Sequence, residues 1–167
     1  ATADAAAIFA HAYLVYREIP AYADFADTCL ETALRAWNWV TDPSNPKHMS
    51  IGAANRTYTF TQEEFDRDLF WAAGSLYRAV KTAGGDVSPY ENYLLANCNT
   101  DTVQNCFKNI SLSYNHAGES FLGFFHYLYQ NEQPDAAMTA AFSNFTPWRT
   151  NMLQHNNWGM VFPNWGY

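Results

Sequence analysis

No apolar run in this chain comes near the roughly 20 residues needed to cross a bilayer, and polar groups interrupt every helical candidate, so no membrane span is expected. Charge is sparse at 15% of residues, and acids outnumber bases 16 to 9, which gives a net charge of -7 and a pI near 5.0. A nucleic-acid backbone would be repelled by such a surface, whereas a neutral polysaccharide meets no such penalty. Cysteine is limited to three residues with no Cys-x-x-Cys pair, and the five histidines are scattered, so no metal site is expected. The chain also lacks a Gly-x-Ser-x-Gly elbow, a phosphate-cradling Gly-rich loop and a dinucleotide fingerprint, and no cofactor is expected. It has neither a starting Met nor a signal-peptide pattern and opens at Ala1 directly into a helical run, so processing or truncation is expected to have removed what precedes it.

What the chain does have is apolar and aromatic bulk. Its 167 residues are enough for a single domain, 1–167, and 49% hydrophobic with 17% aromatic residues would fill a large core. Rings at that density exceed what packing requires. Some belong to the core, and some could line a sugar-binding cleft, where a flat apolar face stacks on a pyranose ring.

Only helical periodicity is clear. From Tyr22 to Val40, the residues Ala26, Cys29, Leu30, Ala33, Trp37 and Val40 recur at three- and four-residue steps, and Asp42-Pro43 ends the run. Thr61-Gln62-Glu63-Glu64 has the capping-box form and opens a helix to about Thr82, stopped by Gly84-Gly85. Ser88-Pro89-Tyr90-Glu91 opens another, with Ser at the cap, ending near Asn97. Glu119 to Gln130, Ala136 to Phe142 and Pro147 to His155 are further helices, while Tyr58-Thr59-Phe60 allows a short extended piece without a sheet. The pattern predicts an all-α domain. A simple bundle satisfies it, but helices apolar on more than one side, above all Asp68 to Ala79, fit a double-layered toroid better.

Cys98 and Cys106 flank a polar stretch with no apolar anchor, where a disulfide would close a short loop and indicate an oxidising compartment. Cys29 sits on the apolar stripe and is expected to be free and buried. Asn55, Asn109 and Asn144 each begin an Asn-x-Ser/Thr acceptor triplet between helix candidates, which favours an extracellular, glycosylated protein. No nucleophile or acid/base pair stands out. His116 with Glu119 is read as a helix-start pair, and Asp66 with Asp68 and Glu63 with Glu64 as solvated charges and caps.

The Ala-rich opening leads to Tyr22-Ala23 and Cys29-Leu30 with Ala33, Ala36, Trp37 and Trp39. Asp68-Leu69-Phe70-Trp71-Ala72-Ala73 follows with Leu76-Tyr77-Arg78-Ala79. Leu112-Ser113-Tyr114 leads into a helix from Gly118, and Gly159-Met160-Val161-Phe162-Pro163-Asn164-Trp165-Gly166 comes last. In this order the four segments resemble glycoside hydrolase family 9, the inverting endoglucanases: the second is similar to the family's acidic-leucine and Trp-Ala-Ala helix, and the fourth to its Trp-Gly loop. The resemblance implies an (α/α)6 barrel whose open cleft hydrolyses β-1,4-glucan. It also implies that Trp165 presents its indole to a glucosyl unit and that Tyr114, standing where the family has Trp, offers a narrower second platform. For Trp165 the alternative is a hydrophobic plug beneath its loop.

Three departures stand out: Arg67 replaces the family's Asp, Tyr167 replaces the Ser after Trp-Gly, and the cysteine segment is longer. The family's Asp-Ala-Gly-Asp-like base segment and the Glu beyond a His-His-Arg-like stretch do not occur, so no catalytic residue is assigned. The chain is then the middle of a barrel, with apolar faces for other chains or further sequence to complete, and with a β-glucan polysaccharide or oligosaccharide as partner. The alternative function is a non-catalytic extracellular glycoprotein module with a structural or glycan-binding role.

Overall fold

The computed structural model describes the backbone of residues 2–45, 51–53, 56–58, 62–108 and 118–144. Helix α1 (Thr2–Tyr16) buries Ala3, Ala6, Ala7, Ala10 and Tyr13, and the four alanines let its neighbours approach closely. A single 3-10 turn at Pro20–Tyr22 reverses the chain into α2 (Ala23–Thr41), whose buried stripe is Ala26, Cys29, Ala33, Trp37 and Val40, as the periodicity predicts. Against the expectation of no sheet, β1 (Ile51–Ala53) pairs antiparallel with β2 (Arg56–Tyr58) in a two-stranded hairpin. With Gly and Ala making up two of its three residues, β1 gives almost no strand signal.

Helix α3 (Gln62–Ala83) ends where Gly84 turns left-handed at φ 78° and Gly85 N–H reaches back to Val80 O at 2.9 Å. Helix α4 (Ser88–Asn97) is opened by Asp86 and not by Ser88: the Asp86 carboxylate accepts from Ser88 N at 3.0 Å and from its hydroxyl at 2.7 Å. Those bonds hold Asp86 below its ordinary pKa. The polar stretch between Cys98 and Cys106 is not a loop but helix α5 (Asp101–Lys108). Thr100 Oγ1 accepts from Val103 N at 3.4 Å at its start, and Val103 and Gln104 supply a buried face. Helices α6 (Gly118–Gln130) and α7 (Ala136–Ser143) follow, the latter capped by Asp135 Oδ1 accepting from Ala137 N at 2.7 Å.

The helices form two layers. Helix α3 packs between α1 and α6, while α2 packs on α1, α4 on α3 and α7 on α6. Contacts between α3 and α6 rise together along both chains: Phe70 meets Phe124 and Tyr77 meets Tyr127, each at 4.8 Å between ring centroids, and Lys81 meets Asn131. The two helices therefore run parallel. Arg17, just past α1, reaches Thr82 O near the end of α3 at 3.0 Å, which brings the C-termini of α1 and α3 to the same end. Side-by-side inner helices, each backed by the next helix in sequence, are an arc of the double-layered α/α barrel. The inner helices meet closely because glycines face each other. A Cβ on Gly74 would lie 2.6 Å from Gly123 Cα, and one on Gly123 would lie 2.5 Å from Phe70 O.

The cysteine expectation divides. Cys29 is free and buried, as expected. Cys98 is also a free, buried thiol, so the bridge to Cys106 is not formed at this residue. At the C-cap of α4 its sulfur instead contacts Leu95 O and Asn99 Nδ2, each at 3.5 Å, and burial pushes both described thiols above their ordinary pKa. The side chain of Cys106 and the helix expected over Pro147 to His155 lie outside the described residues.

Candidate functional site

At about 100° per residue, Glu64, Arg67, Trp71, Arg78 and Thr82 fall within about 60° of one another around α3. Between Asp68 and Val80, Trp71 and Arg78 are the residues of α3 that are not buried. This face lies in a furrow between α1 and α6. Arg78 Nη1 stands 3.5 Å from His126 Nδ1 on α6, and the His126 ring lies 5.7 Å from that of His11 on α1.

The lower half of the furrow is cationic and aromatic. The Arg78 guanidinium sits 4.3 Å above the Tyr129 ring, which stacks on Phe125 at 5.9 Å. His126 is only 5% exposed, and burial first, then the charges of Arg78 and His11, lower its pKa to about 4. It is neutral at ordinary pH and accepts the Arg78 proton on Nδ1, so its own N–H is assigned to Nε2.

Donors without acceptors occur along the furrow, Arg78 Nε in the lower half and others in the upper half. Arg67 Nε and Trp71 Nε1 are shielded from water and make no hydrogen bond, and neither does the hydroxyl of Ser120 in the first turn of α6. Leaving such a group unmet costs about 1–3 kcal/mol, so this end is suited to receive oxygen acceptors. The N-termini of parallel α3 and α6 add positive dipole ends there.

The opposite end is closed. Tyr77 Oη donates to Asn131 Oδ1 at 2.8 Å, Lys81 Nζ donates to the same oxygen at 2.5 Å, and Asn131 Nδ2 returns to Tyr127 O at 2.9 Å. Tyr127 Oη donates to Glu91 Oε1 at 3.2 Å, and burial with that neighbour pushes the phenol up to about 12.

Trp165, Tyr114, Asn55 and Asn109 lie outside the described residues. Asn144 is described: it is exposed at the C-cap of α7, and its Nδ2 donates to Gln104 Oε1 at 2.6 Å. Asp66 accepts from Gln62 Nε2 at 2.7 Å, in keeping with a surface role. Asp68 does not fit the expectation of a solvated charge, since only 4% of it is exposed. It heads the buried run Asp68, Leu69 and Phe70 of the inner helix α3. Sequence reasoning missed His126 and Gln104. A histidine inside the apolar run Phe121 to Tyr129 was the available signal for the first; the second had none. Among the described residues no group of three His, Cys, Asp or Glu could hold a metal ion, and no helix is long and apolar enough to cross a membrane.

A curated relative, a cellodextrinase of Butyrivibrio fibrisolvens, is 37% identical over 80 residues, which span 48% of this chain and 14% of that protein. No solved structure matches. The sequence profile of Glycosyl hydrolase family 9 matches residues 1–164. That match runs through every element of the two-layered arc, from α1 through the furrow helices to α7, and on this evidence the chain belongs to glycosyl hydrolase family 9.

Proposed function

We propose that this chain is the central part of a secreted family 9 domain that hydrolyses β-1,4-glucan with inversion at the anomeric carbon. The observation that carries the reading is the family match over residues 1–164, laid on an arc with unmet donors at one end. The 37% identity to a cellodextrinase supports a glucan over other glycosides.

Inversion requires one carboxylic acid to protonate the leaving oxygen and one carboxylate to activate water on the opposite face, about 6.5–9.5 Å apart. This chain supplies neither of the family's segments for those groups, so they come from the rest of the protein. Its own contribution is binding. Trp165 stacks on a glucosyl ring, Tyr114 offers a second face, and Arg67 and Trp71 add N–H donors. Secretion rests on the acceptor triplets at Asn55, Asn109 and Asn144. Asn144 is the least suited to carry a glycan, because its amide nitrogen already holds Gln104.

The test is cellotetraose hydrolysis by the full-length protein, with product anomers followed by proton NMR. Initial release of the α-anomer is expected, and a β-anomer would refute inversion. By calorimetry with a non-hydrolysed cello-oligosaccharide, Trp165→Ala should weaken binding by about 1–3 kcal/mol, the range seen for flat rings stacked on aromatics. Unchanged affinity in a folded variant would remove Trp165 from the cleft.

A further inference from the structure

The open side of the inner layer has apolar rims and a cation between them. On α1, Ile8 is 55% exposed and Val15 49%, and both lie on the same face of that helix as His11. On α6, Leu122, Phe125 and Tyr129 recur at three- and four-residue steps and are 37%, 46% and 66% exposed. Half-buried Arg78 belongs to α3, which packs between those two helices, and its guanidinium lies over Tyr129 with Nη1 against His126.

That positive charge is unanswered. Arg78 Nε is shielded from water without an acceptor, and among the described residues no carboxylate reaches the guanidinium. The surrounding groups do not supply one. His126 is a neutral acceptor, and α1 adds His11 beside it. Lys81, one turn further along α3, is itself cationic and donates to Asn131, while Glu91 of α4 accepts from Tyr127 Oη. Asp4 stands about 10 Å along α1 from His11. A cation drawn out of water without a counter-charge costs stability.

Whatever covers this face must bring apolar side chains for the rims and an anion for the middle. Water leaves both rims bare, and a neutral glucan carries no anion. A further helix of the same domain can bring both. The cellodextrinase indicates how much chain could supply it: the 80 matched residues are 48% of this chain and 14% of that protein, so this chain corresponds to under a third of its length.

We propose that Arg78 is an ion-pair latch: an Asp or Glu carboxylate on the remainder of the domain, set among apolar side chains, docks on its Nε edge and closes this side of the inner layer. The inference rests on the reading given above, in which this chain is the central part of a larger hydrolase domain.

The experiment is urea unfolding of the full-length protein at pH 7 and pH 5 in carboxylate-free buffer. All variants carry His11→Gln and His126→Gln, so that neither imidazole beside the guanidinium titrates. Arg78→Met leaves the opposing carboxylate buried alone, and at pH 7 the folding constant should fall about tenfold or more, a figure that already allows for partial exposure of the pair. A lone buried carboxylate has a raised pKa in the folded state and takes up a proton as pH falls, so the deficit should shrink at pH 5. Arg78→Gln can still donate to a carboxylate; it should show the same trend from a smaller deficit and carries the test if the Met variant does not fold. Arg78→Lys keeps the charge, and its difference from the background should not change with pH. A deficit equal at pH 7 and 5, or an Arg78→Met variant as stable as the background, overturns the proposal, because the guanidinium then only packs on Tyr129. A trend that appears only at high protein concentration assigns the carboxylate to a second copy and overturns it too. Cellotetraose turnover by wild type is followed separately: an inactive protein with the pH trend intact would refute the hydrolase reading and leave the latch, whereas a pH-independent deficit in an active protein would refute the latch alone.

Discussion

Replacing Gly123 with Ala tests the contact on which the inner layer depends. In an unconstrained helix interior this change stabilises by about 1 kcal/mol, because glycine is the more flexible in the unfolded chain. Here the new Cβ would lie 2.5 Å from Phe70 O, 2.6 Å from Phe70 Cδ1 and 3.0 Å from Phe70 C. Two of those atoms are backbone and cannot rotate away, so α6 must move off α3 by most of an ångström. The contacts loosened by that shift include the buried pairs Phe70 with Phe124 and Tyr77 with Tyr127. Overpacking costs about 1–3 kcal/mol, and with two backbone atoms in the way the upper part of that range, about 2–3 kcal/mol, applies; less the propensity gain of about 1 kcal/mol, a net loss of about 1–2 kcal/mol is expected. Gly74→Ala meets Gly123 Cα at 2.6 Å and should behave alike. The double variant should lose less than the sum, since one separation of the helices accommodates both methyls. Urea unfolding of the protein followed by circular dichroism at 222 nm gives all three values. A stabilised or unchanged Gly123→Ala variant would refute the close approach of α3 and α6.

Stability should also depend on His126. Its folded pKa near 4 lies below the ordinary 6.5, so its contribution is complete above about pH 6.5 and is lost as pH falls toward 4, by at most about 3 kcal/mol. Urea midpoints between pH 7 and 4 should fall more steeply for wild type than for His126→Gln, and identical slopes would sink the assignment. Cys29 and Cys98 should resist iodoacetamide in the folded protein and react after denaturation without a reductant. A Cys98 thiol that alkylates only after reduction would show that it is bridged after all.

The periodic parts of this fold were legible because burial imposes a repeat. Ala26, Cys29, Ala33, Trp37 and Val40 mark the inside of α2 one by one, and the glycine stop after α3 is a single residue in a conformation that others avoid. Helix α5 was hidden for the opposite reason. Few of its eight residues are apolar, and much of what holds it is Gln104, whose Nε2 reaches Cys98 O at 2.6 Å and Ala141 O at 3.4 Å. A polar side chain that works by reaching other elements leaves no periodic trace. The same holds for the helix starts: Ser88 looked like a cap, yet Asp86 two residues earlier accepts from it.

The furrow shows why the site is harder to read than the fold. Arg67, Trp71 and Arg78 share one face of α3, but nothing in their spacing separates the end that must bind from the end that must hold. Partners on other helices make that distinction. Around Tyr77, Lys81 and Asn131 the polar groups satisfy one another, so that end can be rigid without a ligand. Around Arg67 and Trp71 the donors are buried and unmet, a state that costs stability unless something with oxygen acceptors arrives. Unmet donors are not confined to one end, since Arg78 Nε lacks a partner as well, but Arg67 Nε, Trp71 Nε1 and the Ser120 hydroxyl all lie in the upper half of the furrow. The satisfied network at the C-terminal ends holds the inner helices in register, and in the function proposed above the unmet donors would leave binding energy for a hydroxyl-rich chain.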